Sequence, residues 1–152
     1  MRAALDQAGL AAASGDVPIG AVVLSPHGEV IATGHNVRER DGDPTGHAEV
    51  VALRAAAAAV GEWRLTGCTL VVTLEPCTMC AGAAVLSRVE RIVFAAYDEK
   101  AGAVASLWDV VRDRRLNHRP EVIAGVLAKE CTALLDDFFR SHRDFDRTED
   151  VR

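Results

Sequence analysis

No apolar run in this chain is long enough to cross a membrane: charges and glycines interrupt every one well short of the roughly 18 residues a span requires. The opening stretch, MRAALDQAGLAAASGD, has Asp6 among its alanines and lacks the compact apolar block and cleavage site of an export signal, so a cytoplasmic address is expected. Cysteine is scarce, with only Cys68, Cys77, Cys80 and Cys131. In a reducing compartment structural disulfides are rare, and a clustered pair of cysteines points to a metal or to catalysis. A basic excess is also missing. The formal net charge is −5, which argues against a broad nucleic-acid surface and leaves room for a local basic patch. Repeats, low-complexity tracts and linkers are absent too, and one domain over residues 1–152 is expected.

What is present is a globular composition, 49% apolar and 26% charged. Residues 1–13 suit a helix ended by Gly15-Asp16. Two β-branched runs, 19–25 and 29–34, flank Pro26-His27-Gly28 and predict a hairpin. Turn formers fill 35–46, and 47–60 reads as a strong helix stopped by Gly61. The run at 69–75 scarcely alternates, as expected of a strand covered on both faces. A helix over 77–88, a strand over 91–97, a short helix over 106–113, a strand over 121–126 and a long amphipathic helix over 129–145 follow. Strands alternating with helices predict a sheet between helix layers, and the opening hairpin makes that sheet mixed. Cys68 and Cys131 stand alone in apolar contexts and read as small buried hydrophobes.

The stretch TLEPCTMCAG sets Cys77 and Cys80 three apart behind Pro76. Pro76 suits the first turn of a helix, which puts both thiols on one face, where free N–H groups favour thiolate. Alone, such a pair is equally a redox couple, half of a metal site or ordinary packing. Upstream, PTGHAEVVAL places His47 and Glu49 at a second expected helix start. One imidazole and two thiolates make three ligands, the number found in catalytic zinc sites that keep a fourth position for water. Glu49 is then left over as a carboxylate beside the metal.

HAEVVALR together with TLEPCTMCAGA resembles the zinc-dependent nucleobase and nucleoside deaminases, whose signature is H-x-E followed by P-C-x-x-C. DVPIGAVV (16–23), GHNVRERDGDPTGHAE (34–49), SLWDVV (106–111), NHRPEV (117–122) and ECTALLDDFFR (130–140) are similar to the bacterial tRNA-specific adenosine deaminases. This narrower resemblance runs from about residue 3 to residue 140, departing from the common pattern at Gly46 and Tyr97. It implies a three-layer α/β/α fold with a central mixed five-stranded sheet, and one zinc per chain held by His47, Cys77 and Cys80. It implies a water that adds to carbon 6 of adenine, with Glu49 carrying the protons. Asn36 is implied as a hydrogen-bonding partner of the target nucleotide, and the backbone of Ala48 and Pro76 as pocket lining. Asp98 and Lys100 are implied near the flanking nucleotides, with Phe139 or Phe145 offered for stacking. The implied partners are a tRNA anticodon loop and a second copy of the chain.

The charge pattern suits a small footprint. Arg112, Arg114, Arg115 and Arg119 face Asp113 alone in the most basic stretch, whereas the tail 140–152 balances. Specific RNA recognition commonly targets such short single-stranded loops. Three rivals stand beside this expectation. A deaminase of free bases or nucleosides would share the metal and differ in the pocket. A structural zinc module would add a fourth protein ligand, from Cys68 or a loop histidine. A redox C-x-x-C protein would need no metal.

Overall fold

The computed structural model describes residues 1–149, with side chains through residue 142. In chain order the elements are α1 (Arg2–Ala13), β1 (Gly20–Leu24), β2 (Val30–His35), the one-turn α2 (Arg38–Asp41), α3 (Ala48–Val60), β3 (Thr69–Leu74), α4 (Thr78–Leu86), β4 (Arg91–Ala96), β5 (Glu121–Ile123) and α5 (Ala128–Glu149). The five strands form one sheet in the order β2-β1-β3-β4-β5. β1 is antiparallel to both β2 and β3, while β3, β4 and β5 run parallel. Four strands therefore point the same way and β1 alone is reversed. The C-terminal ends of β2, β3 and β4 thus share one edge with the N-terminal end of β1. In open α/β sheets that edge is where ligands bind.

Helices cover both faces, giving the mixed α/β/α arrangement expected from the sequence. On one face Ala52, Leu53 and Ala56 of α3 and Ala81, Ala84 and Val85 of α4 join Val23, Leu70, Val72, Ile92 and Phe94 in the main core. On the other, Ala4 of α1 packs with Val22 and Val71, and Cys131 of α5 packs with Ala95 and Ala96. All of β3 up to Thr73 is buried, which explains why its sequence does not alternate. Gly61 ends α3 in the left-handed conformation with φ 76°.

The helix expected over 106–113 does not form. The N–H groups of Leu107 and Trp108 both reach the carbonyl of Gly102, and Val104 pairs as an isolated bridge with Asp109. Val110 N–H, which would close the first helical turn on Ser106, goes instead to the carbonyl of Ala103 at 2.9 Å, so no i→i−4 ladder starts. The loop expected over 35–46 contains the single turn α2, and the last strand stops at Ile123 rather than residue 126. The NHR segment has a structural part: His118 Nε2 donates to the carbonyl of Val89 at 2.6 Å and ties the approach to β5 against the start of β4.

Candidate active site

Two helix starts converge at the shared sheet edge. α3 follows β2 and α4 follows β3, two parallel strands separated only by β1. His47 is the N-cap of α3 and Cys77 the N-cap of α4, both in extended backbone. N-cap side chains ordinarily accept from the first free N–H groups of their helix. Neither residue does so here, and both side chains turn toward each other instead. Pro76 therefore lies two residues before α4 rather than in its first turn, and Cys80 supplies the only ligand from within the helix.

The geometry fits one tetrahedral ion. His47 Nδ1 is 3.6 Å from Cys77 Sγ and 3.6 Å from Cys80 Sγ. Zinc–sulfur bonds of about 2.3 Å and a zinc–nitrogen bond of about 2.05 Å at a tetrahedral angle put nitrogen and sulfur about 3.6 Å apart. Among the described residues the group contains His47, Cys77 and Cys80 and no fourth protein ligand. Cys68 is buried in the main core, away from this group. The electrostatics match the donor set. The Cys77 thiol is held down to about 4, first by its hydrogen bond from Cys80 and then by His47. Cys80 moves up because it keeps the proton the pair shares. His47 is pushed up, chiefly by its contact with Cys77. A divalent cation replaces that shared proton and leaves both sulfurs as thiolates.

Glu49 sits in the first turn of α3, 4% exposed. Burial pushes its carboxyl up to about 7, with further help from the Cys77 thiolate. A carboxyl near neutrality is suited to accept and return a proton in one cycle.

A pocket of about 570 Å³ opens onto His47. This is ample for a nucleoside, since small-ligand sites span about 300–1,000 Å³. Its walls come from separate strand ends: Val17 and Ile19 before β1, Asn36 and Arg38 after β2, Leu74 at the end of β3, Ala96 at the end of β4 and residues 97–100 after it. Thr132, Leu135, Asp136 and Phe139, at helical spacing i, i+3, i+4 and i+7, form the wall supplied by α5.

The expected site residues fall out as follows. Asn36 is buried and its Oδ1 has no hydrogen-bond partner, an acceptor held ready in the pocket wall. Asp98 and Lys100 line the pocket, although Asp98 Oδ1 also accepts from the N–H groups of Lys100 and Ala101. Phe139 lines it too and is 46% exposed. The side chain of Phe145 lies outside the described residues. Ala48 is fully buried at the start of α3, and the carbonyl of the buried Pro76 accepts from Ala103 N–H at 2.8 Å. Within the basic stretch, Arg115 pairs with Asp113 at 2.6 Å, and Arg112 pairs with Asp109 at 2.8 Å, an acid outside the stretch that offsets one more charge than the count allowed.

Some contributors were not named as site residues from sequence, Tyr97 having entered only as a departure from the family pattern. Arg38 and Tyr97 line the pocket. Asp16, fully buried, accepts from the N–H groups of Glu39 and Arg40 and so fixes the turn that carries Arg38. Glu75, 2% exposed, gathers the loop after β4. A buried acid beside a turn is the signal such residues leave, and burial is not readable from a single position.

Residues 1–96 match the family described as the cytidine and deoxycytidylate deaminase zinc-binding region. The chain is 49% identical over 143 residues to the tRNA-specific adenosine deaminase of Bacillus subtilis (strain 168), covering 94% of this chain and 88% of that protein. It is similar to a solved structure from studies of A-to-I editing by tRNA A34 deaminases at the wobble position, with a TM-score of 0.85, 41% identity, and 89% and 97% of the two chains covered. A guanine deaminase structure from Nitrosomonas europaea gives a TM-score of 0.73 at 28% identity, covering 89% of this chain and 80% of that one.

Proposed function

We propose that this chain, which belongs to the cytidine and deoxycytidylate deaminase zinc-binding family, hydrolyses adenosine to inosine at the wobble position of a tRNA anticodon and releases ammonia. The observation that carries this reading is a three-ligand metal set with a buried, unliganded carboxylate beside it, opening into a base-sized pocket. Likeness to the adenosine deaminase of Bacillus subtilis and to the A34 deaminase structure favours tRNA over free guanine.

His47, Cys77 and Cys80 hold one zinc per chain. When bound there, zinc would supply Lewis acidity that makes a water available as a nucleophile near neutral pH. Glu49 accepts one proton of the attacking water and passes it to ring nitrogen 1, then takes the second from the new hydroxyl on carbon 6 and delivers it to the amino group as it leaves. Asn36 presents its unpaired carbonyl oxygen to the target nucleotide, while Ala48 and Pro76 supply backbone close to the departing amino group. Asp98 and Lys100 meet flanking nucleotides, and Phe139 offers a ring edge at the pocket rim. Arg38 and Lys100 are the cations of the pocket wall and suit phosphates.

The described chain is read as one deaminase unit acting in the cytoplasm; no helix among the described residues is long and apolar enough to cross a membrane. It works as a homodimer. The surface that supports this is the apolar strip of Val50, Leu53, Trp63, Ala83 and Leu86 between α3 and α4, where Trp63 is 52% and Leu86 67% exposed. The test incubates the zinc-loaded chain with an anticodon stem-loop and, separately, with free adenosine, guanine and cytosine, each with and without a chelator. Chelator-sensitive inosine in the stem-loop alone supports the proposal; turnover of guanine in its place replaces it with the free-base reading.

A further inference from the structure

Glu75, between β3 and the ligand Cys77, takes no part in the chemistry described above. Its carboxylate nevertheless accepts five hydrogen bonds, all from the loop that follows β4. Oε2 accepts from the N–H of Asp98 at 3.0 Å and from the Ser106 hydroxyl. Oε1 accepts from the N–H groups of Val104 at 3.3 Å, Ala105 at 2.7 Å and Ser106 at 2.7 Å. The donors come from both ends of residues 98–106, so one anion closes that loop on itself. A buried carboxylate is costly unless its acceptor sites are filled, and here they are. Glutamine offers one acceptor oxygen and would turn its own N–H₂ group toward a donor.

The same loop is bound to the metal-ligand segment by backbone. Cys77 pairs with Gly102 as an isolated bridge, and Glu75 N–H donates to the carbonyl of Ala96 at 2.8 Å. Gly102 lies so close that an added Cβ would run into the Glu75 carboxyl group. Tyr97, Asp98 and Lys100, a wall of the pocket, stand at the start of this loop.

The geometry points to Glu75 as a positioning residue: its carboxylate sets the Tyr97–Lys100 wall against the metal ligand Cys77, and so governs how the nucleotides around the target are gripped. This rests on reading the site as that of a tRNA adenosine deaminase. A wall contact made equally in the ground and transition states acts on KM more than on kcat.

The test compares zinc-loaded wild type with Glu75→Gln, Gly102→Ala and the milder Ser106→Ala, using anticodon stem-loop kinetics, zinc content and amide hydrogen exchange. Glu75→Gln should keep one zinc, raise KM about tenfold with a smaller change in kcat, and speed exchange at Asp98, Ala105 and Ser106 about tenfold. Gly102→Ala should repeat this pattern with the glutamate intact. Ser106→Ala, which removes one donor, should raise KM about threefold and remains informative should Glu75→Gln not fold. A glutamate that merely stabilises the fold would lower the melting temperature and leave KM alone, and KM within twofold of wild type in folded Gly102→Ala and Ser106→Ala overturns the inference. Unchanged exchange in the loop also overturns it. Should wild type leave the stem-loop unmodified, the deaminase reading fails, and the exchange experiment alone then decides whether Glu75 holds the wall.

Discussion

Gly34 of β2 lies directly under Ala48, the first residue of α3: a Cβ on Gly34 would stand 2.5 Å from the Ala48 carbonyl oxygen and 2.6 Å from the Ala52 nitrogen. The helix that presents His47 and Glu49 is thus seated on bare backbone. Gly34→Ala forces α3 outward, and overpacking of this kind costs about 1–3 kcal/mol. Because the displaced helix carries a metal ligand, zinc affinity should fall together with stability. Thermal unfolding of the metal-stripped proteins with and without added zinc checks this: the rise in melting temperature on adding zinc should be smaller for the variant than for wild type.

Metal removal should unmask one cysteine. In the metal-free chain Cys77 is a thiolate down to about 4, whereas Cys131 is pushed up to about 11 and Cys68 is also raised by burial. A lowered pKa means that thiolate persists as pH falls, so iodoacetamide at about pH 6 should alkylate Cys77 selectively. Zinc should protect it. Mass spectrometry of peptides carrying each cysteine reads the result, and equal labelling of Cys68 or Cys131 would contradict the assignment.

Glu49→Gln removes the proton carrier while keeping size and shape. Zinc content should stay at one per chain, and kcat should drop by about 10²–10⁴-fold, the usual value of a general acid–base. Wild-type turnover by this variant would remove Glu49 from the reaction.

Asn36 has a buried acceptor with no partner in the free protein. Such a group is a liability to folding until something donates to it. Asn36→Ala should therefore leave the melting temperature equal to or above that of wild type, while kcat/KM falls about tenfold or more. A variant that is less stable and equally active would mean that the side chain serves the fold.

Leu86→Glu puts a charge into the most exposed part of the α3/α4 strip. Light scattering should report a monomer for the variant and a dimer for wild type. An unchanged mass would move the dimer contact elsewhere.

Much of the site was legible because its chemistry is local. His47-Ala48-Glu49 and Pro76-Cys77-Thr78-Met79-Cys80 each occupy a few residues, and each opens a helix whose periodicity is clear. The part that escaped depends on contacts distant in sequence. Glu75 reaches partners 23 to 31 residues away through backbone N–H groups, which have no identity in a sequence. Backbone partners explain the misread 106–113 segment as well. Leu107, Val110 and Val111 suggest a helix, but the N–H of Val110, which would close its first turn on Ser106, goes to the carbonyl of Ala103. Likewise, the charge count of the Arg112–Arg119 stretch stops short of Asp109, the acid that pairs with Arg112.

The reversal of β1 has one more consequence. It lets α3 and α4 start side by side at one sheet edge, while α5 and the loop after β4 furnish the rim. The reacting centre and the selecting surface are consequently mounted on different supports. Descendants of this scaffold are free to exchange the second for a new clientele, a purine base or a folded RNA, while inheriting the first intact.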